Sequence, residues 1–129
     1  MLERCQQLLD TRVLIVEDEY LIMDEAKRAI EDAGGIVVGA HGHLDHELFS
    51  ESAMNSDVAI LDINIRGQMV FPLAGALLGR GVPFVFATGY DLGMIPDEFI
   101  GAPRLQKPFG AREIVRAVAD ACRRPSAAG

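Results

Sequence analysis

Five polar side chains with chemical potential stand at the ends of short segments that have the character of buried strands. They are Glu17 and Asp18 after residues 13–16, Asp62 after 58–61, Thr88 after 82–87, and Lys107 after 104–106. Consecutive apolar residues are typical of strands covered on both faces in a parallel sheet. A charged side chain is costly in such an interior, so these residues are expected at the carboxyl ends of the strands, where open α/β sheets bind ligands.

The combination of these side chains suits cation binding and phosphoryl transfer. If neighbouring strands bring Glu17, Asp18 and Asp62 together, two carboxylates about 4 Å apart repel by about 4 kcal/mol at an effective dielectric of about 20. A bound cation relieves that repulsion, and a site made only of oxygen ligands favours Mg²⁺, which shares its coordination with phosphate. Lys107 and Thr88 would hold phosphoryl oxygens while a carboxylate attacks phosphorus.

Hydrophobic segments separated by glycine or proline residues predict the strands and helices that position these residues. Strands are expected at 13–16, 36–38, 58–61, 82–87 and 104–106, and helices at 22–33, 44–54, 70–78 and 111–123, with a short one around 97–100. In the last helix, Ile114, Val115, Val118 and Cys122 are predicted to face inward. Five β–α pairs predict an α/β fold of the (βα)5 type: a doubly wound, five-stranded parallel sheet with flavodoxin-like strand order 2-1-3-4-5.

The composition predicts a single cytoplasmic domain. The 129 residues carry 12 basic and 19 acidic side chains, a net charge of −7 that argues against nucleic acid and anionic membrane surfaces as partners. No apolar run approaches the roughly 18 residues of a membrane span. Cys5 and Cys122 are far apart in the sequence and fit reduced thiols. The expected organisation is a lead-in over 1–11, one domain over 12–124 and a disordered tail over 125–129, with no second domain.

Four motifs together resemble the receiver domain of two-component response regulators. They are Val13-Leu-Ile-Val-Glu-Asp-Glu19, Ala59-Ile-Leu-Asp-Ile-Asn64, Phe86-Ala-Thr-Gly-Tyr90 and Leu105-Gln-Lys-Pro-Phe109. The resemblance covers about residues 11–123. It implies a phosphoacceptor signalling protein that takes a phosphoryl group from a histidine kinase and acts on a downstream protein through altered contacts, without transforming a separate metabolite.

The resemblance also implies a role for each site residue. Asp62 would be the phosphoacceptor, and the Lys107–Pro108 peptide bond would be cis, a geometry essentially reserved for X–Pro bonds. The implied Mg²⁺ ligands are Asp18, Asp62, the backbone carbonyl of Asn64 and, through water, Glu17. Thr88 and Lys107 would bind the phosphoryl oxygens.

The run from Phe86 to Tyr90 is similar to that of the single-domain branch called FAT GUY regulators, which is associated with HWE-type histidine kinases. Two departures from the wider family fit this branch. Arg104 stands where a switching Tyr or Phe is usual, and the loop predicted after Asp62 has Ile65-Arg66-Gly67 where many receivers carry proline. We therefore take Tyr90 and Arg104 as switch candidates, with segment 91–103 becoming ordered on phosphorylation.

Two other functions are compatible with parts of this sequence. A phosphate-sink or binding module would take up a phosphoryl group without producing an output of its own. The run His41-Gly-His43-Leu-Asp45-His46 matches the HxHxDH zinc motif of metallo-β-lactamase-fold hydrolases. These are the chain's only histidines, so the downstream ligands of such a site are missing. A solvated loop before the second helix is the favoured interpretation, and adventitious metal binding by His41, His43 and His46 stays open.

Overall fold

A computed structural model describes residues 7–89 and 95–123, which form a five-stranded parallel sheet with helices on both faces. The elements are β1 (Arg12–Val16), α1 (Tyr20–Asp32), β2 (Ile36–His41), α2 (Glu51–Met54), β3 (Val58–Asp62), β4 (Asn64–Ile65), β5 (Gln68–Met69), α3 (Phe71–Gly79), β6 (Phe84–Thr88), β7 (Arg104–Gln106) and α4 (Ala111–Arg123). The sheet order is β2-β1-β3-β6-β7, with every pair parallel. The predicted flavodoxin-like order, 2-1-3-4-5 among the long strands, is confirmed.

Two hydrophobic layers enclose the sheet, one on each face. Alternate residues of a strand point to opposite faces of the sheet. Because both faces are covered, every residue of β3 is buried. On one face, Leu61 and Phe86 pack with residues from α3 and the 97–99 turn. On the other, Ile15 and Ile60 pack with α1 and α4. Each fully buried aliphatic side chain contributes about 1.5–3 kcal/mol, which fixes the strand ends relative to one another.

The second predicted helix, 44–54, is divided in two. His46–Phe49 form a 3₁₀ helix, Ser50 is extended, and only Glu51–Met54 are α-helical. Asp45 accepts a hydrogen bond from the backbone N–H of Glu47, and Ser50 accepts one from that of Ala53. Short polar side chains that bond to nearby backbone groups compete with a continuous helix, so each starts a separate turn here.

A two-stranded hairpin occupies the segment that was predicted to be a loop after Asp62. Strands β4 and β5 are antiparallel, and the two residues between them have positive φ: 52° at Arg66 and 86° at Gly67. Positive φ at both central positions defines the type I′ turn that matches the twist of a hairpin. The hairpin is anchored by the buried side chains of Ile63, Ile65 and Val70.

Cys122 corrects the predicted inner face of the last helix. Ile114 and Val118 are buried, but Cys122 is exposed and Ala121 is buried instead. With 3.6 residues per turn, the position two turns after Ile114 is 121 and not 122. Between β6 and β7 the predicted short helix is a 3₁₀ turn at Asp97–Phe99. Among the described helices, none has the length and hydrophobicity to cross a membrane.

Candidate functional site

The strand register places the predicted chemical residues at one edge of the sheet. Val16 pairs with Leu61, and Asp62 pairs with Ala87, so the carboxyl ends of β1, β3 and β6 are level. The backbone N–H of Lys107 donates to the carbonyl of Thr88 at 2.8 Å, which sets the lysine beside the end of β6. Side chains that are up to 90 positions apart in sequence therefore open into one crevice.

Four carboxylates meet in this crevice. Glu17, Asp18, Glu19 and Asp62 each offer a carboxylate oxygen, and these oxygens lie within 4.8 Å of one another. Sequence reasoning identified three of them and missed Glu19, although it directly follows the acidic pair. The backbone N–H of Glu19 donates to Oε2 of Glu17 at 3.0 Å, so the chain turns tightly at this point.

Lys107 offsets part of the negative charge of this cluster. Its Nζ lies 3.2 Å from Oε1 of Glu17, 3.1 Å from Oε1 of Glu19 and 3.1 Å from Oδ2 of Asp62. The lysine side chain is 15% exposed, and that of Glu17 only 3%. A shielded ammonium shared by three carboxylates leaves a net negative charge, so the crevice retains capacity for a second cation.

The pKa values reflect this burial and crowding. Burial, opposed by the N–H of Glu19 and reinforced by the charge of Asp62, raises the pKa of Glu17 to about 7. Burial also raises the pKa of Asp62, although the charge of Lys107 opposes the shift. Burial lowers the pKa of Lys107, but the carboxylates of Asp62 and Glu17 outweigh it, and the net shift is upward. Lys107 is therefore charged at neutral pH, and both buried carboxylates gain from a further positive charge.

The donor set of the crevice fits Mg²⁺. The space is about 810 Å³ in volume, and Asp18, Asp62, Asn64 and Lys107 are among the residues that line it. Carboxylate and carbonyl oxygens are the ligands that Mg²⁺ prefers. The side-chain oxygen of Asn64 already accepts the N–H of Gly67 at 2.8 Å. The ligand that the resemblance implies at Asn64 is the backbone carbonyl, and such a role would leave this side-chain hydrogen bond intact.

Thr88 supplies a buried hydroxyl near the end of the crevice. The residue is 1% exposed, and its Oγ1 has no hydrogen bond among the described residues. A buried unsatisfied polar group costs about 1–3 kcal/mol, and native proteins retain few of them. Its position at the end of β6, next to the residue paired with Asp62, suits a ligand oxygen in the crevice.

Thr88→Val is expected to raise the free energy of unfolding by about 1 kcal/mol, because an isosteric methyl group replaces the unsatisfied hydroxyl. Denaturant unfolding without ligands measures the change. Thr11→Val, at the opposite end of the sheet, is the matched control. A destabilised Thr88→Val protein would show that the hydroxyl already has a partner in the resting state.

Several solved structures are similar to this chain over most of its length. SdrG from Sphingomonas melonis Fr1 is 38% identical to this chain, with 85% of this chain and 94% of that chain covered at a TM-score of 0.74. The BeF3-activated receiver domain of nitrogen regulatory protein C is 27% identical, with 88% and 94% covered at a TM-score of 0.70. This chain belongs to the receiver family of response regulators. A receiver protein from Sinorhizobium medicae WSM419 shares the fold at 21% identity, with 89% and 96% covered and a TM-score of 0.70. No protein-family model matches the chain, and the search of curated proteins gives no match.

The remaining predicted site residues of this receiver have different outcomes. The Lys107–Pro108 peptide bond is cis, as the resemblance implies. Arg104 lies outside the crevice: it is exposed on β7, and its Nη2 donates to the carbonyl of Ile100 at 3.2 Å. Tyr90 and most of its neighbours lie outside the described residues. The switch roles of Tyr90 and Arg104 stay predictions.

The histidine run does not form a metal centre in the part of the receiver that the structure describes. There, the ligand-bearing side chains that gather within 4.8 Å are the four carboxylates, and no histidine is among them. Asp45 instead caps the 3₁₀ helix that begins at His46. These observations favour the solvated loop over the zinc-hydrolase interpretation.

Proposed function

We propose that this receiver accepts a phosphoryl group on Asp62 from the phosphohistidine of a histidine kinase, in a reaction that requires Mg²⁺. The observation that carries the proposal is the contact between Nζ of Lys107 and Oδ2 of Asp62 at 3.1 Å, inside a crevice with three further carboxylates. An aspartate at the end of a buried strand, hydrogen-bonded to a lysine, is suited to act as a nucleophile towards phosphorus.

The proposed transfer uses this chain's side chains in defined roles. A carboxylate oxygen of Asp62 forms a bond to phosphorus, and the P–N bond breaks with its electron pair moving to the imidazole nitrogen. Lys107 moves its hydrogen bonds from the carboxylates to a phosphoryl oxygen. The hydroxyl of Thr88 donates to another phosphoryl oxygen, so the negative charge that develops on these oxygens meets fixed donors.

Asp18, Asp62 and the backbone carbonyl of Asn64 are the proposed direct ligands of Mg²⁺, with Glu17 acting through water. When bound, Mg²⁺ supplies positive charge that offsets repulsion between the incoming phosphate and the carboxylates. Glu19 is exposed and holds Lys107 at 3.1 Å. It would keep the ammonium within the crevice until a phosphoryl oxygen competes for it.

The proposed output is a change of protein contacts rather than turnover of a metabolite. The FAT GUY motif from Phe86 to Tyr90 supports assignment to that branch as a cytoplasmic protein, with an HWE-type kinase as donor and an unidentified downstream protein as target. Tyr90 and Arg104 are the proposed switch residues. The side chain of Arg104 donates to the carbonyl of Ile100, next to the 97–99 turn, so movement of that turn would also move or break the contact with Arg104.

Acetyl phosphate, a small phosphoryl donor, tests the metal requirement. We expect phosphorylation of the wild-type protein in Mg²⁺, measured on a phosphate-affinity gel, and a rate at least about tenfold lower in EDTA, because the carboxylates then repel the donor. Restoring Mg²⁺ after EDTA is the control for irreversible damage. Equal rates in Mg²⁺ and EDTA would contradict the proposal.

A further inference from the structure

Arg66, at the tip of the β4–β5 hairpin, makes two hydrogen bonds that no catalytic role accounts for. Its backbone N–H donates to Oδ2 of Asp18 at 2.9 Å, across 48 positions of sequence. Its side-chain Nε donates to the backbone carbonyl of Gly42 at 3.1 Å. One exposed residue therefore joins the hairpin to the acidic loop after β1 and to the end of β2.

The backbone of Arg66 is held in a conformation that arginine does not favour. A φ of 52° lies in the left-handed region, which costs a residue with a Cβ about 1–2 kcal/mol. Such a conformation persists where surrounding contacts fix it. Here the two hydrogen bonds of Arg66 and that between Gly67 and Asn64 do so.

The acceptor Gly42 lies against the acidic loop itself. A Cβ at Gly42 would stand 3.7 Å from the carbonyl oxygen of Glu17 and 3.9 Å from Cα of Asp18. The backbone N–H of Glu17 also donates to the carbonyl of His41 at 2.9 Å. Arg66 thus closes a ring of contacts that runs from the hairpin to Gly42, to the acidic loop and back through the carboxylate of Asp18.

We infer that Arg66 is a positioning residue: its N–H orients the carboxylate of Asp18 so that Oδ1 is presented to a divalent cation, and its guanidinium holds the turn in place. The inference rests on the proposed function, because it assigns Asp18 to the cation. Hydrogen-bond partners of metal-ligating side chains typically contribute 10–100-fold to metal affinity. The sign of the effect is diagnostic, since removing a positive charge beside an acidic crevice would by itself tighten Mg²⁺ binding.

The test is Mg²⁺ titration of the wild-type protein, Arg66→Ala and Arg66→Lys, followed by NMR. We expect Arg66→Ala to weaken Mg²⁺ binding about tenfold, and Arg66→Lys, which keeps a donor and the charge, to recover most of the loss. Arg28→Ala is the matched control. Arg28 is 76% exposed and paired with Asp24 on the outer surface of α1, so its loss should leave the affinity unchanged or slightly tighter.

Amide hydrogen exchange of residue 66 in metal-free protein tests the bond to Asp18 without any ligand. We expect protection in the wild-type protein that falls about tenfold in Arg66→Ala. Unchanged or tighter Mg²⁺ binding by Arg66→Ala, or an unprotected amide in the wild type, would overturn the role of Arg66 and leave the proposed function standing. A wild-type protein that does not bind Mg²⁺ would overturn both.

Discussion

Asp62→Asn is expected to abolish phosphorylation by acetyl phosphate or a cognate kinase. An amide oxygen carries no negative charge and does not attack phosphorus, while it still fits the space at the end of β3 and still accepts from Lys107. The measurement is the incorporated phosphate at saturating donor in Mg²⁺. Asp57→Asn is the matched control, because Asp57 flanks the opposite end of the same strand and pairs with Arg12.

The same substitution should stabilise the metal-free protein at pH 7. The pKa of Asp62 is raised in the folded protein, chiefly by burial, so its ionised form opposes folding at neutral pH. A neutral amide removes that penalty, so Asp62→Asn should raise the free energy of unfolding of the metal-free protein at pH 7. Phosphate incorporation by Asp62→Asn equal to that of Asp57→Asn would refute the assignment of the phosphoacceptor.

Lys107→Met is expected to slow phosphorylation of Asp62 by about 10²–10³-fold, the loss typical for removing one preorganised donor from a developing negative charge. Methionine keeps the length and most of the volume of lysine without the charge. Lys27→Met is the matched control, since Lys27 is the chain's other lysine and lies on α1. Initial rates at fixed Mg²⁺ measure the effect.

Loss of Lys107 should also destabilise the metal-free protein. Removing one partner of a buried ion pair leaves uncompensated charge and costs about 3–5 kcal/mol, of which uptake of a proton by Glu17 recovers part. Mg²⁺ should restore more stability to Lys107→Met than to the wild type. A variant with wild-type phosphorylation rate would exclude Lys107 from phosphoryl binding, whatever its stability.

The sheet and most of the site were predictable from the sequence because both follow from strong local signals. Consecutive apolar residues in 58–61 require burial on both faces, and a carboxylate directly after them has to lie at the strand end. The same reasoning places Thr88 and Lys107. Their convergence follows from a parallel sheet, in which all carboxyl ends share one edge.

The parts that were missed depend on contacts distant in sequence. The hairpin at Arg66 and Gly67 lacks the Asn-Gly or Asp-Gly signal of a type I′ turn. The positive φ of Arg66 is instead stabilised by hydrogen bonds to Asp18 and Gly42. The contact of Glu19 with Lys107 joins residues 88 positions apart, so the sequence around Glu19 does not indicate it. Among the described residues the buried hydroxyl of Thr88 has no hydrogen-bond partner, and this depends on which atoms pack around it rather than on sequence spacing.

The central claim is that Asp62 carries the phosphoryl group, and chemical trapping at that residue tests it most directly. Wild-type protein treated with acetyl phosphate and Mg²⁺ is reduced with borohydride, which converts an aspartyl phosphate to homoserine, and the peptides are sequenced by mass spectrometry. The account predicts homoserine at position 62, and none when EDTA replaces Mg²⁺. Homoserine at Asp18 or at another carboxylate, with Asp62 intact, would contradict it.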